Sequence, residues 1–241
     1  MQHAAIVAQF AFIPTLCMLI GALAAAFRAP GPKVTSATQH FAAGVVFAAV
    51  AKELLPKLGA AHVDYITLTV GFSLGVLVML FVKSWTEQGV HGGSEAHHVQ
   101  SKWALIIAVA IDLFVDGLLI GVAFLAGEQG GLLITIALTI EIMFLGIAMV
   151  ASLNQSNMSG VQKGFIILVL GLLVPLGAMI GVEVFSRLGP VMMNGVLAFG
   201  VAALLYLVTE ELLVEAHEVG ERPWITACFF LGFLIILLLE S

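Results

Sequence analysis

Apolar runs of membrane-spanning length follow one another along the whole chain, parted by short polar breaks. A bilayer core takes about 20 apolar residues per helix. Eight such segments are present, roughly 4–27, 37–57, 65–85, 102–126, 131–153, 163–186, 190–213 and 223–240. The short breaks carry turn formers: RAPGPK at 28–33, GEQGG at 127–131, NQSNMSG at 154–160 and RLGP at 187–190. One longer break, 86–101, is polar and glycine-containing and holds His91, His97 and His98. The pattern predicts an all-α polytopic membrane protein, a single transmembrane domain over 1–241 with eight transmembrane helices and a His-containing loop at 86–101.

Composition sharpens this picture. Of 241 residues, 61% are hydrophobic and 10% charged, with a mean hydropathy of +1.13. Such a chain cannot build the polar surface of a soluble domain, and lipid is its expected surrounding. The formal net charge of −6 says little, because many acids lie within or beside apolar runs. No basic tract points to nucleic acid. Cys17 and Cys228 sit in apolar segments and read as packing residues, as do Met143, Met149, Met179 and Met192. The first segment lacks a basic leader and a cleavage motif and is read as a retained helix.

Lys and Arg placement sets the expected orientation. With the N-terminus outside, the cytoplasmic loops and helix ends carry Arg28, Lys33, Lys83, Lys102, Lys163 and Arg222, six in all, against Lys57 and Arg187 on the outer side, two in all. Both termini are therefore expected outside, the 86–101 loop in the cytoplasm, and the protein in a bacterial inner (cell) membrane. A homodimer is compatible with the sequence.

Two stretches recur. IAVAIDLFVDG (107–117) matches IALTIEIMFLG (136–146), which aligns Asp112 with Glu141 and Asp116 with Leu145. AKELLP (51–56) matches VTEELLV (208–214). In an eight-helix chain the second and seventh helices run antiparallel, so this pair predicts an inverted repeat of helices 1–3 and 6–8.

The chemistry concentrates in AIDLFVDGLLIGVAF (110–124). Asp112 and Asp116 are four residues apart and share one helix face. Two carboxylates repel, and burying each in hydrocarbon costs several kcal/mol unless a cation joins them. Glu141 is expected to reach the same layer from the next helix, with Gly117, Gly121 and Gly146 permitting close helix approach. The occupant expected is a metal, protons or a lysine. Other charges extend the line: His40, Lys52 and Glu53 on the second helix, and Glu210, Glu211, Glu215, His217 and Glu218 at the end of the seventh. A path from Glu53 through Asp112, Asp116 and Glu141 to the acidic inner end follows. Structural readings stand beside these: an ion pair of the two aspartates with Lys52, protonated acids bonded to backbone, an interfacial place for Glu53 and Lys52, one of Glu210 and Glu211 facing water, a structural place for His40 near a helix start, and a solvated His217.

With these residues in place, the chain resembles the ZIP (Zrt/Irt-like) family of divalent metal transporters over nearly its whole length. HFAAGVVFAAVAKELLP (40–56) looks like the family's second helix, GFSLGVLVM (71–79) like its third, and DGLLIGVAF (116–124) like its fourth. The resemblance implies eight helices with both termini outside and a transport site read as H-N-x-x-D/E-G on the fourth helix and H-E-x-x-H/E-G on the fifth. By position, Asp112 stands for the first histidine, Leu113 for the asparagine and Asp116 for the acid. On the fifth helix Glu141 stands for histidine, Ile142 for glutamate and Leu145 for the last ligand. The sixth helix has no mid-helix acid to complete a second metal. An all-oxygen site suits Mn²⁺, Fe²⁺, Mg²⁺ or Ca²⁺ better than Zn²⁺. Lys52 lies where the family carries no cation and reads as a built-in counter-cation.

The expected function is transport of a divalent metal substrate (Zn²⁺, Fe²⁺ or Mn²⁺) toward the cytoplasm through one carboxylate-rich site. Its metal ligands would be drawn from Asp112, Asp116, Glu141, Glu53, Glu211 and Glu210, with Lys52, His40 and His217 modulating. The alternative is a ZIP-fold carrier that has lost ordinary metal transport and handles protons or another cationic solute. No H-E-x-x-H, Ser/Lys pair or other nucleophile constellation suggests an enzyme.

Overall fold

A computed structural model of the chain describes residues 2–27, 30–60, 64–91, 102–154, 158–217 and 222–239. Among them the helices run as successive segments. α1 is Gln2–Phe27. α2 covers 32–60, as Pro32–Ala49, a π-helical turn Val50–Leu54 and Leu55–Ala60. α3 is Tyr65–His91, α4 Lys102–Ala126 and α5 Glu128–Asn154. α6, Gly160–Phe185, is interrupted at Leu172. α7, Pro190–His217, contains a second π turn, Leu207–Leu212, and α8 is Pro223–Leu239. No strand occurs among the described residues.

Among the described residues six helices, α1 and α3 to α7, are long and apolar enough to cross a membrane. The two remaining segments differ for identifiable reasons. α2 hides Ser36, Gln39 and His40 on its inner face and carries Lys52, Glu53 and Lys57 further on. α8 is a shorter apolar helix. α2 begins earlier than its apolar run, because Gly31 is extended and Pro32 opens the first turn. α3 continues to His91, into the expected loop. The rest of that loop, with His97 and His98, lies outside the described residues, as do Arg28 and Glu218.

Polarity is inverted relative to a soluble protein. Asp116, Glu141, Gln39 and His40 are buried, while Leu16, Ile20 and Leu23 on α1 and Leu77 and Phe81 on α3 face outward. An apolar exterior around a polar interior is what a lipid solvent selects.

Four helix pairs form the closest packings: α1 with α5, α4 with α6, α2 with α8 and α3 with α7. Each is seamed by glycines. A Cβ on Gly21 would strike the Met143 carbonyl, and one on Gly146 the Met18 carbonyl. Gly117 and Gly177 abut Val174 and Phe114 in the same way, and Gly44 and Gly232 abut Phe229 and Phe41. Gly71 presses on Gly195. Small residues let backbones meet where hydrophobic burial supplies no attraction.

Breaks within helices are also bonded. Pro175 has no N–H and its ring excludes the carbonyl four residues earlier, that of Gly171. Thr15 of α1 donates its hydroxyl to that carbonyl at 2.7 Å. At the start of α3, Asp64 accepts the Thr67 hydroxyl at 2.7 Å and the Thr67 amide at 3.3 Å. The Thr67 hydroxyl bond holds the Asp64 carboxyl below its usual range. The turn between α4 and α5 passes through Gly127 at φ 151°, where a side chain would be strained.

Two outcomes follow for thermal unfolding in detergent. Gly146→Leu should lower Tm by roughly 5 °C or more, from overpacking of about 1–3 kcal/mol, whereas Gly164→Leu, where an added Cβ meets nothing within 4 Å, should be nearly neutral. Thr15→Val should cost about 1 kcal/mol by stranding the Gly171 carbonyl. Equal Tm values for the two glycine variants, or an unchanged Thr15→Val protein, would contradict this packing.

Candidate metal site

α4 presents Asp112 and Asp116 one turn apart, and α5 brings Glu141 against them. One carboxylate oxygen from each lies within 4.8 Å of the others. Asp116 is 2% exposed and Glu141 4%. Asp116 Oδ2 and Glu141 Oε2 are buried without a hydrogen-bond partner. Three ionised carboxylates at this spacing would repel by roughly 3 kcal/mol per pair at an effective dielectric of about 20. Buried acceptors in excess of donors, on groups of like charge, make a place for a cation. Metal–oxygen bonds of about 2.1 Å put ligand oxygens up to about 4 Å apart, so small side-chain rotations would close the set round one ion.

A cavity of about 60 Å³ reaches this cluster. Asp112, Glu141, Glu211, Glu215 and Gln39 supply its polar lining. Phe144, Leu145 and Leu207 are among its apolar walls. Leu145 thus occupies the wall position aligned with Asp116 in the internal repeat. Among the described residues the ligand donors in this lining are oxygens, and no imidazole or thiol lines it.

The remaining candidate residues fall in different places. Glu211 faces the cavity, but Glu210 is exposed and binds Lys83 at 2.9 Å. The two are neighbours in the π turn, and there Glu211 turns toward the cavity while Glu210 turns toward Lys83. Glu53 accepts from Lys57 at 2.9 Å, with both side chains packed over Gly130 at the start of α5. That i, i+4 pair already provides Glu53 with a cation, and it contributes no ligand atom to the cluster. Lys52 sits half-buried on the π turn of α2. His40 is buried, and its ring lies 5.0 Å from that of the exposed His217. Gln39, a lining residue that hydrogen-bonds Glu215, carries no charge pattern by which it could be singled out in the sequence.

Comparison with known proteins places this geometry in a family. Residues 86–240 match the ZIP zinc transporter family. The zinc transporter ZIPB of Bordetella bronchiseptica is 30% identical over 239 residues, covering 92% of this chain and 76% of that protein. The chain belongs to the ZIP zinc transporter family. The zinc transporter GufA of Myxococcus xanthus is also similar, 29% identical over 223 residues, covering 88% of this chain and 87% of its own length. As a ZIP protein with six long apolar helices, it is an integral membrane protein of a metal-transporting family.

A cation that relieves carboxylate repulsion must stabilise the fold on binding. In the purified ZIP protein, Zn²⁺ or Mn²⁺ should raise Tm, by about 2.7 kcal/mol of stabilisation at one hundred times Kd. Glu141→Gln should raise the metal-free Tm and shrink the metal-induced rise. A full metal-induced rise in Glu141→Gln would remove Glu141 from the site.

Proposed function

We propose that this protein carries divalent metal ions across a bacterial cell membrane toward the cytoplasm, through one carboxylate site formed by Asp112, Asp116 and Glu141. The observation that carries this reading is the cluster of half-buried Asp112 with buried Asp116 and Glu141, the latter two with unpartnered oxygens, beside a cavity that Asp112 and Glu141 line. Zinc is the first substrate to test, since the curated relatives are named zinc transporters. The all-oxygen lining also favours Fe²⁺ and Mn²⁺.

The cavity is lined by Thr35 and Gln39 near the start of α2 and by Glu215 near the end of α7. By the Lys/Arg bias that end is cytoplasmic, so the cavity is read as the release side, with Glu211 and Glu215 receiving the ion from Asp112. On the opposite side Glu53, Lys57 and Gly130 pack together. This is read as the closed outer gate.

Eight crossings with an inverted repeat are part of the same proposal. Exchanging α1 with α6, α2 with α7, α3 with α8 and α4 with α5 turns the α1–α5 pair into α6–α4, and α2–α8 into α7–α3. Those are the four closest pairings. The two π turns, Val50–Leu54 and Leu207–Leu212, fall on the two matched stretches of sequence. Lys52 is placed in this scheme as an internal cation that competes with the metal for the aspartates.

Uptake of Zn²⁺ and Mn²⁺ into proteoliposomes tests the function. Wild type should accumulate metal, and Asp116→Ala should fall to the protein-free rate while keeping its fold. Normal uptake by Asp116→Ala would refute the site. For orientation, a cysteine at Gly93 should be labelled only from the cytoplasmic side and one at the exposed Gln129 only from outside. For Lys52, metal titration of Lys52→Ala should show tighter binding and an altered pH dependence. Unchanged affinity across pH would rule out competition.

A further inference from the structure

α2 and α7 each carry one π turn, and the residues around the two turns correspond. Counted from the last residues of the turns, Leu54 and Leu212, Glu53 matches Glu211 and Lys57 matches Glu215. The first position is glutamate in both. The second, one turn further on, is reversed in charge.

That reversal accompanies a difference in structure. After the first π turn Lys57 binds Glu53 at 2.9 Å, with side chains only 29% and 12% exposed. The pair lies over Gly130 so closely that a Cβ there would strike both Lys57 Nζ and Glu53 Oε2. Together they clasp α2 to the start of α5. After the second π turn, Glu211 and Glu215 both line the cavity. Glu215 accepts from Gln39 of α2, but it cannot bind Glu211 as Lys57 binds Glu53. An i, i+4 pair of opposite charge attracts, and one of like charge repels.

The clasp has a direct bearing on the three-acid cluster. Gly130, Ile134, Ala137 and Glu141 recur at the helical period and share one face of α5. Ile134 and Ala137 are fully buried. Glu141 therefore stands roughly 16 Å along the helix from the clasp, at about 1.5 Å per residue, with two buried apolar residues between.

We propose that Lys57 is the lock of this carrier: paired with Glu53 over Gly130, it holds its end of α2 shut against α5, while the acid in the matching place on α7, Glu215, leaves the other end open. One charge difference between matched positions then sets the resting state. This role rests on the proposed transport reading, in which the Glu53 end is outer and the cavity faces the cytoplasm. Lys57 and Gly130 act as positioning residues, and neither has a place among the metal ligands. Removing the lock shifts the population toward the conformation open at the Lys57 end.

Thiol labelling of the full-length protein in intact cells provides the test. With Cys17→Ala and Cys228→Ala, Ala137→Cys places a single thiol on the buried face of α5. A membrane-impermeant maleimide added outside should label it slowly. Adding Lys57→Glu should raise the rate by roughly ten-fold or more, and Lys57→Met should raise it as well. Gly130→Ala, which pushes the pair off α5, should act in the same direction. Reversing the pair with Glu53→Lys/Lys57→Glu should restore slow labelling, which a mere loss of packing would not allow. At the other end, Glu215→Lys gives Glu211 a partner and should slow the labelling of Phe144→Cys, a cavity-wall thiol, in inside-out vesicles. Unchanged labelling of Ala137→Cys in both Lys57→Glu and Lys57→Met would overturn the proposal. The same acceleration seen only in inside-out vesicles would support the lock and overturn the orientation. Failure of the transport reading would show differently, as normal metal uptake by Asp116→Ala.

Discussion

Hydrocarbon gives a helix no reason to prefer another helix over a lipid tail, so this fold depends on backbones that touch. The glycine seams supply that contact. Gly117 and Gly177 press α4 onto α6, and Gly21 and Gly146 press α1 onto α5. With those backs fixed, Asp112 and Asp116 on α4 meet Glu141 on α5. Bulkier residues at the seams would spread the helices and separate the acids. The polar site is thus a consequence of the least polar residues in the chain.

Burial then determines the chemistry. A carboxylate trio in a wet cleft would be an unremarkable solvated cluster. Here Asp116 and Glu141 are almost fully enclosed, and among the described residues the cavity lining has no basic one. The environment penalises every state in which the acids are charged and alone. Either protons or a metal ion must accompany them, and a site that can exchange one for the other is suited to carrying ions.

Much of this was legible in the sequence because helical periodicity is local. The i, i+4 spacing of Asp112 and Asp116 and the repeat that aligns Glu141 with Asp112 need no tertiary information. What could not be read depends on rotation and on distant partners. Glu210 and Glu211 are adjacent and chemically identical, yet one pairs with Lys83 and the other faces the cavity. Only the turn of the helix separates them. Glu53 was read as part of an ion path, and the structure adds a partner that this reading did not include, Lys57 one turn away. His40 and His217 belong to distant parts of the chain, and so do Gln39 and Glu215. α2 was recognised as a helix, but its polar inner face conceals its length from an apolarity criterion.

The π turn of α7 has a bearing on how sequences of this family should be compared. A π turn is a helix that has absorbed one surplus residue within a single turn. Before and after Leu207–Leu212, α7 is ordinary α-helix, so the surplus is taken up within the turn: residues there change their facing while the helix on either side keeps its own. A relative lacking that residue could keep the same helix packing and the same apolar pattern and still turn a different side chain toward Asp112. Ligand identity would then be decided by a one-residue gap in an alignment, in a stretch where such gaps are easily smoothed away.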